Sequence, residues 1–224
     1  MSGYPVIAID GPSASGKSTL AKALARRLKF DYLDTGAMYR ALAWKVLAAK
    51  ISLKDRKGIV GLCRRQKIKF IKSGRRFRIF INGRDVTGKI RTSEVSEAAS
   101  ILSRIKEVRR VMVRTQRKLA EKRKVILEGR DIGTVVFPEA DCKIFLDASL
   151  EERAIRRHKE FLGKGRKSGK AKLKKDLMRR DNRDSRRKVA PLRKSRDAVL
   201  LDSTDLTISS MLREALAIVT EKIN

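Results

Sequence analysis

The chain is poor in the residues that most small scaffolds rely on. Its 224 residues include two cysteines, one histidine, one tryptophan and four prolines, and aromatic side chains make up only 5%. Cys63 and Cys142 lie far apart with no CxxC pair, and His158 has no second histidine beside it. Neither a disulfide framework nor a structural zinc site is therefore expected. No apolar run approaches the roughly 18 residues that a membrane span requires, and no basic and apolar leader opens the sequence, so a cytoplasmic location is the expectation. Acidic residues are scarce too, 25 Asp plus Glu against 56 Lys plus Arg, for a formal net charge of +31. With 42% hydrophobic residues the chain still has material for a real core, which excludes a wholly disordered basic tail.

Such a charge must be met by anions: nucleic acid, an acidic membrane surface or phosphorylated small molecules. Composition does not choose among them. Position narrows the question, because residues 151–196 carry 20 Lys or Arg against 6 Asp or Glu.

Residues 5–9 (PVIAI) form a short apolar run, followed by Asp10, Gly11 and a stretch from Gly16 with Leu20, Leu24 and Leu28 at helical spacing. This reads as strand, glycine loop, helix. Apolar runs recur at Lys124 to Leu127, Lys143 to Leu146 and Ala198 to Leu201, with Phe30 to Leu33 as a candidate fifth. Continuous apolar strands alternating with helix-length segments predict an α/β fold with a parallel sheet buried on both faces. A last helix after Asp205 would place Ile208, Leu212, Ala215, Val219 and Ile223 on one stripe.

Two segments depart from that pattern. From Lys67 to Val86 apolar and basic residues alternate, broken by Ser73-Gly74 and Asn82-Gly83, which predicts a small antiparallel three-stranded insert. Helical periodicity returns near Ser96 and continues to about Lys122. Residues 163–175 (GKGRKSGKAKLKK) read as a mobile surface loop, dense in charge and glycine.

Gly11-Pro12-Ser13-Ala14-Ser15-Gly16-Lys17-Ser18, continuing into Thr19, matches the P-loop pattern G-x-x-x-x-G-K-S/T between the predicted strand and helix. Glycines let backbone N–H groups close round phosphate oxygens, the helix N-terminus adds partial positive charge, and Lys17 reaches the β- and γ-phosphates. Ser18 offers its hydroxyl to Mg²⁺. A P-loop points to a nucleotide and leaves the phosphate acceptor open.

A nucleoside monophosphate brings its own nucleophile, a phosphate oxygen already ionised near neutral pH because its second pKa is about 6. Such a reaction needs no strong general base, and a chain with one histidine and abundant arginine suits it. Arginine forks that hold crowded phosphates are the expected tools, with candidates Arg40, Arg130, Arg179, Arg180, Arg183, Arg186 and Arg187.

Asp34-Thr35-Gly36-Ala37-Met38-Tyr39-Arg40, Glu128-Gly129-Arg130-Asp131-Ile132-Gly133-Thr134-Val135-Val136-Phe137-Pro138, Arg180-Asp181-Asn182-Arg183-Asp184 and Val189-Ala190-Pro191-Leu192 follow one another in order. Together with the P-loop they resemble the bacterial cytidylate kinase family across nearly the whole chain. The resemblance implies a nucleoside monophosphate kinase, a P-loop NTPase fold with a five-stranded parallel sheet, a small antiparallel β insert and a mobile lid. It divides the chain into a core at 1–62, 101–156 and 188–224, an acceptor-binding insert at about 63–100 and a lid at about 157–187. ATP, with Mg²⁺, would phosphorylate CMP and dCMP. In such a family the acceptor phosphate is held by Arg40 and Arg130, and cytosine is read by Thr35, Arg109 and Asp131 with Arg187 nearby. Ribose would meet Ser100, Arg180 and Asp184. Lys17, Arg130, Arg183 and Arg187 would stabilise charge on the transferring group. Thr35 stands where the commonest family version has serine, and the role of Glu128 stays open.

Other readings have their own support in the residues. Arg109 shares a basic helix with Arg104, Arg110, Arg114 and Arg117, so periodicity alone allows a solvated face. Asp131 can be read as a surface carboxylate beside Arg130, and Ser100 as an ordinary helix serine. His158 reads as surface, Cys63 and Cys142 as small apolar residues, and Trp44, Met38 and Leu42 as core. The excess of lysine keeps open an RNA-associated protein using the strands from Lys67 to Val86. Yet Phe70, Phe77 and Phe80 fall where the alternation would bury them, so no specific nucleic acid is expected beyond incidental polyanion binding. A kinase of the same fold acting on uridylate, adenylate or an acid is the nearer competitor. A monomer is the default.

Overall fold

The computed structural model describes residues 4–73, 76–163, 165 and 168–223. The chain divides into two units, one of residues 1–32 and 122–224 and one of residues 33–121.

The first unit is built on a five-stranded sheet. Its strands are β1 (Val6–Asp10), β2 (Asp31–Asp34), β6 (Val125–Gly129), β7 (Cys142–Asp147) and β8 (Val199–Asp202), in the order β2-β6-β1-β7-β8. β1 runs parallel to both β6 and β7, and β7 runs parallel to β8. Every residue of β6 is buried, as a strand covered on both faces requires. α1 (Lys17–Leu28) buries Leu20, Ala21, Leu24 and Ala25. Each fully buried leucine contributes about 1.5–3 kcal/mol. α8 (Ile208–Ile223) packs on α1, β7 and β8. Its inner stripe is Met211, Ala215 and Val219, and Ile208, expected inside, is 60% exposed.

Two further helices belong to this unit, α6 (Leu150–Leu162) and α7 (Lys170–Ser185). The expected loop over residues 163–175 is thus helical from Lys170 onward. Its glycines end at Gly169, the N-cap of α7, after which Leu173 and Leu177 bury themselves one turn apart. Lys164, Arg166 and Lys167 of that stretch lie outside the described residues.

The second unit holds α2 (Thr35–Ala48), α3 (Arg56–Arg64), an antiparallel sheet of β3 (Ile68–Ser73), β4 (Arg76–Ile81) and β5 (Arg84–Asp85), then α4 (Ser93–Leu102) and α5 (Lys106–Ala120). The three-stranded insert is where the alternation put it, and Gly74 of the first turn lies outside the described residues. Burial on the insert differs from the expectation. The register pairs Ile68 with Ile81 and Phe70 with Ile79, so the buried positions are the three isoleucines, while Phe70 and Phe77 are half-buried. Phe80 pairs with Lys69 on the opposite face. Met38 and Leu42 of α2 are core, and Trp44 is half-buried beneath Arg84 and Lys89, 5.4 and 5.7 Å from its ring.

The helical periodicity expected from about Ser96 to Lys122 is carried by two helices, α4 and α5. Apolar periodicity runs through the junction, but Ser103 closes α4 and Ile105 opens α5. Cys63 and Cys142 are buried free thiols, each pushed up to about 11 by burial. His158 is half-buried, its Nδ1 3.0 Å from the Ser168 carbonyl.

Candidate active site

α2, α3, α4 and α6 each carry a side-chain N-cap, from Asp34, Asp55, Thr92 and Ser149. α1 does not. Its N-cap is Gly16, at φ 95°, which offers no side-chain cap, as is also true of Ile105 before α5 and Gly169 before α7. With the glycine-bearing P-loop in front of it, the start of α1 keeps N–H groups available to an anion. Gly11, at φ 151°, passes so close to β7 that a Cβ would stand 2.0 Å from the Leu146 carbonyl oxygen. Pro12 and Ser15 are buried, Ser13 and Ala14 half-buried, and Ser18 and Thr19 exposed on the first turn.

Lys17 is buried and folded back over the loop, donating to the Pro12 carbonyl and, at 3.2 Å, to Ser15 Oγ. Its ammonium is held well below the usual lysine range by burial first and by the positive charge of Arg130 next, with Arg180 adding to it and Glu128 and Asp10 opposing. Burial and the two guanidinium groups thus disfavour the Lys17 charge, a penalty that an anion beside it would offset.

The segment after β6 forms the other wall of this half. Asp10, at the end of β1, accepts the N–H groups of Ile132 at 2.9 Å and Gly133 at 2.8 Å. Burial raises the Asp10 carboxyl to about 6 against those two hydrogen bonds, with Asp131 adding and Lys17 subtracting. Residues Ile132–Val136 make a turn of π-helix, a rare form that frequently occurs at functional sites. Asp131, 6% exposed, has its Oδ1 3.5 Å from Nη2 of Arg187, itself 6% exposed, and Arg187 Nε donates to the Ala190 carbonyl at 2.5 Å. Arg130 Nε donates to Asp184 Oδ2 at 3.2 Å, and Arg180 Nε lies 4.0 Å from the same oxygen. Arg183 is half-buried on α7, three residues after Arg180. Lys17, Arg130, Asp131, Arg180, Asp184 and Arg187 thus all belong to one unit, where Asp184 is shared by Arg130 and Arg180 and Asp131 faces Arg187. The alternative of Asp131 as a surface carboxylate is ruled out by its burial.

The remaining candidates sit in the second unit. Asp34 caps α2 through the Ala37 N–H at 2.8 Å and pairs with Arg40 Nη2 at 2.7 Å. Burial would raise the Asp34 carboxyl, but Arg40, the Ala37 hydrogen bond and Arg91 together hold it below its usual value. Gly36 leaves room for that pair, since a Cβ there would stand 3.0 Å from Arg40 Nη1. Thr35 is buried at the first position of α2, and Arg40 Nε is buried with no hydrogen-bond partner among the described residues. Arg109 is not on a solvated face. It is 3% exposed, its Nη1 donates to the Ser103 carbonyl at 3.2 Å, and its guanidinium lies 5.7 Å from the Tyr39 ring. The break between α4 and α5 supplies that carbonyl. Ser103 Oγ in turn donates to the Ser100 carbonyl at 2.8 Å, and Ser100 Oγ is buried without a partner among the described residues. Ser100 and Arg40 each present a polar group for a ligand to satisfy.

The residues fit a magnesium ion carried on phosphates. Ser18, directly after Lys17 in the first turn of α1, offers a hydroxyl for it, and no group of three or more His, Cys, Asp or Glu gathers among the described residues. Mg²⁺ that keeps its phosphate and water ligands needs no more from the protein.

The cytidylate kinase family profile matches residues 7–221 of this chain. A cytidylate kinase from Geobacillus sp. is 48% identical over 217 residues, 97% of each chain, and one from Carboxydothermus hydrogenoformans is 47% identical over 216 residues, 96% of this chain and 97% of its own. The chain belongs to the cytidylate kinase family. Solved structures of a gluconokinase from Sinorhizobium meliloti (16% identity, TM-score 0.51, 97% of this chain and 92% of that one) and a shikimate kinase from Bacteroides thetaiotaomicron (11%, 0.51, 96% and 98%) share its fold. The P-loop NTPase α/β fold expected from the sequence is the fold observed.

Several residues that shape this family member's site escaped the sequence reading. Asp10 had a signal, a carboxylate ending an apolar strand directly before the P-loop. Arg153 and Arg156 had none, being two arginines on a charged helix. Arg153, 8% exposed, donates to the Ser13 carbonyl at 3.2 Å and pairs with Asp181, which accepts the Ser13 N–H at 3.3 Å. Arg156 reaches the Ser15 carbonyl at 3.4 Å and Ser203 Oγ at 2.9 Å. Tyr32 donates its hydroxyl to Glu128, which is 5% exposed, so Glu128 is a buried, tethered carboxylate close to Lys17.

Proposed function

We propose that this protein transfers the γ-phosphoryl group of ATP to CMP and dCMP, releasing ADP and the corresponding diphosphate. The observation that carries this reading is the buried pair of Asp131 and Arg187 on a backbone fixed by Asp10. Cytosine presents an amino donor beside ring acceptors, so a carboxylate with a guanidinium matches its edge, whereas uracil would set a carbonyl against the carboxylate. Membership of the cytidylate kinase family supports the same substrate.

The acceptor phosphate oxygen attacks in line, and because it is already ionised no side chain has to remove a proton. Arg40 and Arg130 hold that phosphate, and Thr35 and Arg109 join Asp131 at the base. Ser100, Arg180 and Asp184 meet the sugar. The P-loop from Gly11 to Thr19 holds the donor, with Lys17, Arg183 and Arg187 offsetting charge on the transferring group. Mg²⁺, held on the protein side by Ser18, neutralises donor phosphate charge when bound. The lid, about residues 157–187, keeps water from the reacting phosphate, over a core at 1–62, 101–156 and 188–224 and an acceptor-binding insert at about 63–100. We read the protein as a cytoplasmic monomer; no described helix is long and apolar enough to cross a membrane.

The test offers CMP, dCMP, UMP and AMP separately with Mg·ATP and measures diphosphate formation. CMP and dCMP are expected to be the preferred acceptors. A preference for AMP, or for an acid substrate, overturns the reading.

A further inference from the structure

The proposed reaction uses seven of the 56 basic side chains, and most of the surplus is left without a role. α7 shows where part of it is organised. Leu173, Leu177 and Asp184 mark its inner face, all buried. Lys170 and Lys174 lie to one side of it and are spent on a single carboxylate, Glu151 of α6, at 2.5 and 2.7 Å. Those two lysines pull the Glu151 carboxyl down to about 2.

The outward face is different in kind. Lys172, Lys175, Arg179, Asn182 and Arg186 follow one another at spacings of three and four, so they form one line along the helix, and all five are exposed. Lys172, Lys175 and Arg186 make no ion pair among the described residues, and Arg179 has only Asp176, at 3.9 Å. From Lys172 to Arg186 the line is about 21 Å long at ~1.5 Å per residue, with a cation at four of its five positions.

We propose that this outward face of α7 binds the phosphate backbone of double-stranded nucleic acid without reading its sequence. A duplex presents one charge per about 1.7 Å of axis, which a straight row of cations can track, releasing counterions as it does so. Single strands are held by stacking on aromatic rings, and α7 has none. A membrane-surface helix turns a broad apolar face to the lipid, but Leu173 and Leu177 are buried in the protein, leaving Met178 beside the basic row.

The test is the salt dependence of binding to a fluorescent 20-base-pair duplex, followed by anisotropy. Four engaged cations give a slope of log K against log salt of about −3.6, at ~0.9 per phosphate contact. The double variant Lys172→Gln/Lys175→Gln should lower the affinity and flatten the slope by about 1.8 on the same scale. The double variant Lys170→Gln/Lys174→Gln removes equal charge from the paired side of the same helix and should keep the original slope. An unchanged far-ultraviolet circular dichroism spectrum in both doubles shows that the fold is intact. Equal flattening in the two doubles would mean attraction by overall charge, and no flattening in either would place the contact elsewhere; both results overturn the proposal. So does binding to phosphatidylserine vesicles with none to the duplex.

Discussion

Asp10 holds Gly133 by its backbone, Oδ2 accepting the Gly133 N–H at 2.8 Å while Oδ1 takes the N–H of Ile132. The residue that precedes the P-loop thereby fixes the backbone next to Asp131, so the end of strand β1 ties together the P-loop and the segment after β6. Asp10→Asn turns one acceptor into a donor aimed at an N–H group. A loss of about 1–3 kcal/mol in stability is expected for that unmet buried group, and it is read from chemical denaturation at neutral pH.

The same residue gives a pH signature. Its folded carboxyl titrates near 6 against an ordinary 3.8, so the folded state binds the proton more tightly than the unfolded state. Stability of the original protein relative to Asp10→Asn should therefore fall as pH rises from about 4 to about 6, by up to roughly 3 kcal/mol at ~1.36 kcal/mol per pH unit. Asp131 and Lys17, the charged groups bearing on Asp10, are present in both proteins. A difference that stays flat across that window contradicts the assignment.

Lys17 lies buried against Pro12 and Ser15 with its charge disfavoured, a state that an arriving phosphate relieves. Lys17→Ala should lower turnover by about 100-fold or more, the scale for losing one preorganised charge donor, while circular dichroism stays unchanged. Unaltered turnover would remove the P-loop lysine from the mechanism.

Gly11→Ala tests the loop's close approach to β7. The added Cβ would meet the Leu146 carbonyl at 2.0 Å, and the positive φ is unfavourable to any side chain. A destabilisation of at least about 1–3 kcal/mol is expected from the strained backbone alone, visible as a lower thermal midpoint together with weakened ATP binding.

Much of this architecture was legible because parallel strands buried on both faces must read as unbroken apolar runs. β1, β6 and β7 announce themselves in that way, and the P-loop sits between strand and helix as its chemistry requires. Other features depend on contacts distant in sequence. Arg109 looks like its exposed neighbours on α5 until the break at Ser103 supplies a carbonyl for it. Arg153 finds Asp181 on another helix, and nothing near either residue hints at the pairing. The start of α7 was obscured by lysines whose charge suggested a loop, although Leu173 and Leu177 one turn apart carried the helical signal.

The central claim is that the Asp131 carboxylate, faced by Arg187, selects cytosine. The measurement that bears on it most directly is the ratio of kcat/KM for CMP to that for UMP, in the original protein and in Asp131→Ala. The expected result is a ratio that drops by about 10- to 100-fold, equivalent to ~1–3 kcal/mol of lost base discrimination, with the KM for ATP nearly unchanged. A ratio that stays the same while CMP and ATP affinities fall together would make Asp131 a structural carboxylate and contradict the account.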